Sequence, residues 1–243
     1  ANLGKSVKER FLGIHFFNPP RYMKLVEIIP GEETKKEVIE YVSRFCEDVL
    51  GKGVVVCKDV PNFVANRIGV FDMSNAMNLM LAKGMKVEDI DAIISAPLGR
   101  PRSAIFGTID LVGLDTAYHV MTNLYEALPK DESRDLFLPP DFVKAMIQKK
   151  WLGNKTKGGF YKKSKDAKGK KLKLAIDVKT IDYVPAGKPK YESVGAAKKS
   201  EAPVEKTVKM VFNGKDAAAE LAREYRCNNF IYAANRIPEI ADS

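Results

Sequence analysis

The sequence predicts a mainly α chain in which a helical domain follows a short piece of β-structure. Three observations predict it. Residues 11–30 hold two short β-rich runs, "FLGIHFF" and "MKLVEIIP", parted by "NPPRY". From residue 34 to about residue 153, apolar residues recur mostly at helical spacing. The composition, 45% hydrophobic over 243 residues, is that of a globular chain able to bury a sizeable core.

The elements follow in order. The Pro- and Asn-punctuated "NPPRY" joins two strands through a tight loop. In "TKKEVIEYVSRFCEDVLGKG", Thr34 and Glu37 have the spacing of a capping box. Val38, Val42, Phe45 and Val49 line one helical face there, and Gly51 is a stop. "GVVVCKDVP" is a short extended piece. Asn62 to Lys83 reads as a long helix, apolar on most faces and so central. "KVEDIDAIISA", "TAYHVMTNLYEAL" and "PDFVKAMIQKKWLG" are three further helices. "KTKGGFYKK" is a glycine turn into an aromatic strand, and "LKLAIDVKTIDYVP" a strand pair within a segment rich in Lys, Ser, Pro and Ala. From about Thr207 the helical pattern returns. Asn-Phe followed by Ala-Asn-Arg-Ile occurs from Asn62 and again from Asn229, with two residues added in the second copy, an internal repeat placed near the start of a helix in each case.

The net charge of +9 first suggests a polyanionic partner. Its distribution argues otherwise: residues 149–173 hold eleven lysines and one aspartate, so the rest of the chain sums to about −1. Aromatics are not interleaved as a nucleic-acid stacking platform needs. The run reads as a solvated basic connector, and neither nucleic acid nor membrane is an expected partner. No apolar run is long enough to span a bilayer, and the N-terminus does not read as a signal peptide. Cys46, Cys57 and Cys227 are odd in number and far apart, which fits a reduced, cytoplasmic compartment. No His, Cys, Asp and Glu grouping has metal-ligand spacing, and no G-x-G-x-x-G or phosphate-binding loop is present.

His15, in "GIHFFNPP", is the residue that calls for chemistry. An imidazole in an apolar strand needs partners for both ring nitrogens. Glu27 lies twelve residues on, nearly opposite if the two strands pair about residues 19–22. A carboxylate on one nitrogen fixes the tautomer and leaves the other free as a general base, the His–carboxylate half of a triad without an obvious nucleophile. The bland alternative is a core histidine satisfied by a backbone carbonyl. His119, in "DTAYHVMTNL", reads as structural.

"FLGIHFFNPPRYMKLVEIIP", "CKDVPNFVANRI", "DLVGLD" and "KTKGGFYKK", in that order over residues 8–163, resemble the 3-hydroxyacyl-CoA dehydrogenases of fatty-acid β-oxidation. "GRPRSAIFGTIDLVGLDT" and the second Ala-Asn-Arg-Ile copy resemble the long forms fused to an enoyl-CoA hydratase. The resemblance implies a Rossmann NAD domain followed by a helical domain. It divides the chain into a C-terminal remnant of a truncated Rossmann domain (1–30), a helical C-terminal domain (31–163), a basic connector (164–207) and the start of a second, truncated helical repeat (208–243). On this reading the glycine fingerprint is absent, and the chain lacks its NAD domain, binds NAD weakly and is inactive alone. The resemblance further implies NAD as cofactor and an acyl-CoA as substrate, with self-association through the helical domain. His15 is implied as the base that takes the substrate 3-hydroxyl proton, and Glu27 as its orienting partner. Asn66 is implied as the amide that holds the thioester and polarises the reacting oxygen. Asn18 and Lys155 fall on the cofactor side, Asn18 shaping the loop with Pro19. A non-catalytic helical docking or dimerisation module is the rival class; it has no use for a base, its carboxylate and an amide together.

Overall fold

The computed structural model describes residues 4–166 and 168–242. They divide into two units. The first runs to Gly69 and takes in the chain again from Tyr232; the second is Val70–Ile231.

The first unit opens with a helical turn, α1 (Lys5–Lys8), and continues into strand β1 (Leu12–Phe16). β1 pairs antiparallel with β2 (Leu25–Pro30), in a register that sets His15 directly opposite Glu27. Helix α2 (Lys36–Arg44) follows and packs against β2. Its last turn widens to a π-turn over Phe45–Val49. That widening rotates the surface, so Cys46 is buried whereas Phe45 and Val49, expected on the inner face, are exposed. Thr34 does not cap the helix. Its hydroxyl donates to the Phe11 carbonyl and accepts the Gly31 N–H instead, leaving Lys35 as an N-cap without a side-chain bond.

Strand β3 (Gly53–Val56) pairs parallel with β2. β2–α2–β3 is therefore a β-α-β unit, the repeating element of dinucleotide-binding sheets. The expectation of a mainly α chain, with only two leftover strands ending at residue 30, is corrected by this sheet and by a second one described below. A four-residue run, "GVVV", is too short to announce its parallel partner across the helix.

Helix α3 (Ala65–Ala82) starts three residues later than expected, because Asn62 and Phe63 have positive φ (65° and 50°) and cannot begin a right-handed helix. The first unit is closed by residues from Tyr232. The buried guanidiniums of Arg67 and Arg236, the two arginines of the internal repeat, reach one carboxylate: Arg67 Nη2 lies 3.0 Å from Glu239 Oε1 and Arg236 Nη1 2.8 Å from Oε2. The second copy does not open a helix as the first does; it closes one.

The second unit is built on α3 from Val70, with α4 (Val87–Ile93), α5 (Phe106–Val112), α6 (Leu114–Ala127) and α7 (Asp141–Gln148). Its second sheet is β4 (Tyr161–Lys165), β5 (Lys171–Asp177) and β6 (Asp182–Pro185), all antiparallel. Helices α8 (Glu192–Lys199), α9 (Val204–Phe212) and α10 (Ala217–Asn235) follow. The segment read as a basic connector thus carries two strands and a helix, and it supplies Ile176, Val194 and Ala197 to a core shared with Met77, Ile90, Phe106 and Phe160.

Two sequence motifs meet in this unit. Asp110, from "DLVGLD", accepts the backbone N–H of Phe160 (2.8 Å) and of Tyr161 (2.9 Å), from "GGFY". Gly159 admits no side chain there, since a Cβ would overlap the Asp110 carboxylate. Asp91 accepts three N–H groups at the start of α5 and the Tyr161 hydroxyl. Burial pushes the Asp110 carboxyl up to about 6; the two N–H donors oppose this and the Asp91 charge adds to it. Folding therefore favours the protonated acid. Its contribution is full below the ordinary carboxylate range and is lost as pH rises through about 6. Relative to Asp110→Asn, the wild type should lose on the order of 1–2 kcal/mol of unfolding free energy between pH 5 and pH 7. Urea titrations of the two proteins at both values check this, and a gap that does not move with pH would contradict it.

Candidate active site

The site is built where β1 and β2 run side by side. Alternation along β1 turns Ile14 and Phe16 to one face and His15 to the other. His15 Nδ1 lies 2.6 Å from Glu27 Oε2. Glu27 is fully buried, whereas the imidazole keeps about a third of its surface exposed. The other carboxylate oxygen, Oε1, accepts the N–H groups of Val64 (3.0 Å) and Ala65 (2.7 Å). These are among the N–H groups that a helix start leaves unpaired, so one carboxylate satisfies them and orients the imidazole at once. With these acceptor sites taken, Glu27 can receive Nδ1–H, which fixes the neutral ring in the Nδ1–H tautomer and leaves Nε2 with its lone pair. No described residue bonds Nε2. The rings of Phe17 and Phe63 flank the imidazole at centroid distances of 4.7 and 5.7 Å.

Asn66 lies in the first turn of α3, exposed and directly after the Ala65 N–H that Glu27 holds. Glu27 thus ties the strand carrying His15 to the helix carrying Asn66. Asn18 is exposed, two residues beyond β1. Its loop is gripped by a residue that spacing did not reveal: Lys52 Nζ donates to the carbonyls of Pro20 (2.5 Å) and Met23 (2.6 Å). A lysine between two glycines reads only as turn, so the sequence carries no signal for this role. Lys155 belongs to the second unit, where its Nζ sits 2.6 Å from both oxygens of Asp115 and holds that carboxyl below its ordinary range. His119 is exposed on α6 against Tyr118.

The arrangement suits proton transfer rather than covalent attack. The neighbouring thiol, Cys57, is buried, and that burial, reinforced by the Glu27 charge, pushes it up to about 12. Among the described residues no group of three His, Cys, Asp or Glu side chains could hold a metal. No helix of the described residues is long and apolar enough to cross a membrane.

Comparison with known proteins gives the family. The family model for the 3-hydroxyacyl-CoA dehydrogenase NAD binding domain matches residues 3–60, and that for the C-terminal domain of the same family matches residues 63–163. The chain belongs to the 3-hydroxyacyl-CoA dehydrogenase family. The NAD-binding-domain match, with the β-α-β unit behind it, overturns the expectation of a truncated Rossmann remnant. The expectation that the chain lacks its NAD domain falls with it, and so does the ground given for weak NAD binding and inactivity. A probable 3-hydroxyacyl-CoA dehydrogenase of Bacillus subtilis is 41% identical over 97% of this chain, which makes up 29% of that relative. One from Deinococcus radiodurans is 47% identical over 67% of this chain and 46% of its own length. The chain therefore spans less than half of either relative. Among solved structures, the (S)-3-hydroxybutyryl-CoA dehydrogenase of Ralstonia eutropha is 32% identical, with a TM-score of 0.54 over 62% of this chain and 51% of that one.

Proposed function

We propose that this family member takes part in the NAD-dependent oxidation of L-3-hydroxyacyl-CoA to 3-oxoacyl-CoA in fatty-acid β-oxidation, with His15 as general base and Glu27 as the group that orients it. The observation that carries the reading is the 2.6 Å contact between His15 Nδ1 and a fully buried Glu27, with Nε2 left for substrate. Nε2 takes the 3-hydroxyl proton as a hydride leaves C3, and the Glu27 carboxylate stabilises the imidazolium that results. The exposed Asn66 amide donates to the reacting oxygen. NAD, when bound, supplies the hydride acceptor. The residues present fit its reacting end: a part-exposed imidazole walled by Phe17 and Phe63 gives an apolar seat beside the base. Asn18, exposed just beyond β1, is assigned to the cofactor side. Lys155, paired with Asp115, reaches cofactor only by giving up that carboxylate.

We further infer kinship with the long, hydratase-fused forms. Its support is that the alignment with the Bacillus subtilis protein extends over 97% of this chain while filling 29% of that relative. The test of the activity is NADH formation by the intact protein from NAD and L-3-hydroxybutyryl-CoA, run against the D enantiomer. Turnover of the L substrate alone is expected. A folded protein that turns over neither would refute the reading.

A further inference from the structure

The β4–β5 hairpin carries an arrangement of charge that the dehydrogenase chemistry does not use. Its register sets Lys163 opposite Lys173 and Lys165 opposite Lys171. Strand alternation puts all four on the same face, the face that at its other end carries Tyr161 and Ala175 toward the core. The opposite face holds Lys162, Ser164, Leu172 and Leu174. Like charges directly opposed across a ladder are unfavourable, and here two successive rungs have them. All four lysines are exposed, and among the described residues none forms an ion pair, the one carboxylate acting on them being Asp110, whose charge interacts with Lys173. The Lys173 ammonium lies 3.5 Å from the centre of the Tyr161 ring, which holds it at the root of the patch. Most of the hairpin lies beyond the C-terminal-domain match, which ends at residue 163.

Sheet geometry gives the size of the patch. Opposed Cβ atoms are about 5 Å apart, and alternate residues along a strand about 7 Å. Three flexible ammonium groups, with that of Lys173 held over Tyr161 beside them, are rooted on a rectangle small enough for all to reach one compact anion. A single carboxylate cannot balance four cations, whereas clustered phosphates can, and ammonium groups bind phosphate as point charges. The patch is two rungs long. It ends at the core on one side and at Asp166, whose carboxylate accepts the N–H groups of Lys168 and Lys170, on the other. A nucleic-acid track would need greater length with stacking aromatics, and a bilayer-binding patch an apolar wedge among the cations.

We propose that the face formed by Lys163, Lys165, Lys171 and Lys173 binds a small molecule bearing two or more phosphates. The phosphorylated end of the CoA thioester is one source of that chemistry, in the part of the proposal that rests on the dehydrogenase reading; a free nucleotide polyphosphate is the other. The test is calorimetric titration of the intact protein with CoA and, separately, with ATP. Wild type is compared with the double variant Lys163→Gln/Lys171→Gln and with Lys179→Gln, an exposed lysine outside the patch, as control. The double variant, which relieves one repulsive charge in each rung, should stay folded with a Tm at or above wild type. Affinity for at least one ligand should fall roughly tenfold or more, the size of one charge-assisted hydrogen bond, with the control unchanged. Loss for CoA assigns the patch to substrate, and loss for ATP alone assigns it to a free nucleotide. No loss for either overturns the proposal. So does a loss confined to RNA or to phosphatidylserine vesicles. Absence of NADH-linked turnover in the wild type, with these affinities still falling, would refute the dehydrogenase reading and leave the phosphate site standing.

Discussion

His15→Ala in the intact protein lowers turnover of acetoacetyl-CoA with NADH by roughly 10²–10⁴, the range for removing a positioned general acid or base. The imidazole is part-exposed and its flanking rings belong to Phe17 and Phe63, so its loss leaves a small solvent-reachable gap rather than a core cavity. Stability should therefore change little, and the lost rate is chemical. In the reducing direction the same group acts as acid, giving its Nε2 proton to the oxygen of the substrate as the hydride arrives at C3. Steady-state assays at saturating substrate read the change in kcat. A folded His15→Ala protein with wild-type turnover would remove the base from the account.

Glu27 separates position from chemistry. Glu27→Ala strips the acceptor from the Val64 and Ala65 N–H groups and from the His15 ring, in a place with no water-exposed surface. Buried donors left unpaired cost about 1–3 kcal/mol each, so the variant should lose roughly 2–5 kcal/mol of stability along with its activity. Glu27→Gln is the informative partner. A glutamine oxygen can still accept from the start of α3, so most of the stability stays. Its uncharged amide no longer stabilises an imidazolium, so kcat should fall at least tenfold with a smaller change in KM. Thermal melts and kinetics on the two variants together decide the matter. Equal loss of activity and stability in both would make Glu27 a structural anchor only.

The strand pair and its His–Glu facing were legible because both depend on local facts: two alternating runs, a Pro-rich loop of definite length, and a period of two that admits few registers. The helices α4, α6 and α7 were legible from equally local patterns, whereas α5 and α8 were not; α8 sits in the segment read as a connector. What was not legible depends on contacts far apart in the chain. β3 joins β2 only after α2 has crossed between them, so a four-residue run could not show that residues 25–56 form a β-α-β unit. Thr34 matched a capping box by spacing, but its hydroxyl is taken by Phe11, 23 residues earlier. The π-turn at Phe45–Val49 changes which residues face inward, a shift that a fixed helical period cannot contain. Glu27 could be paired with His15 from sequence; its second task, holding the first turn of α3, could not, because the signal is two backbone N–H groups 37 and 38 residues away. Lys155 matched a motif, yet the motif did not show that Asp115, 40 residues upstream, already holds its ammonium group.

The measurement that bears most directly on the account is the imidazole nitrogen NMR spectrum of the protein labelled at histidine. With two histidines in the chain, His15 and His119, the assignment needs only one variant. The account predicts that neutral His15 carries its proton on Nδ1, donated to Glu27, with Nε2 unprotonated, and that Glu27→Gln weakens this preference. A neutral His15 protonated on Nε2 would leave no lone pair facing the substrate, and would contradict it.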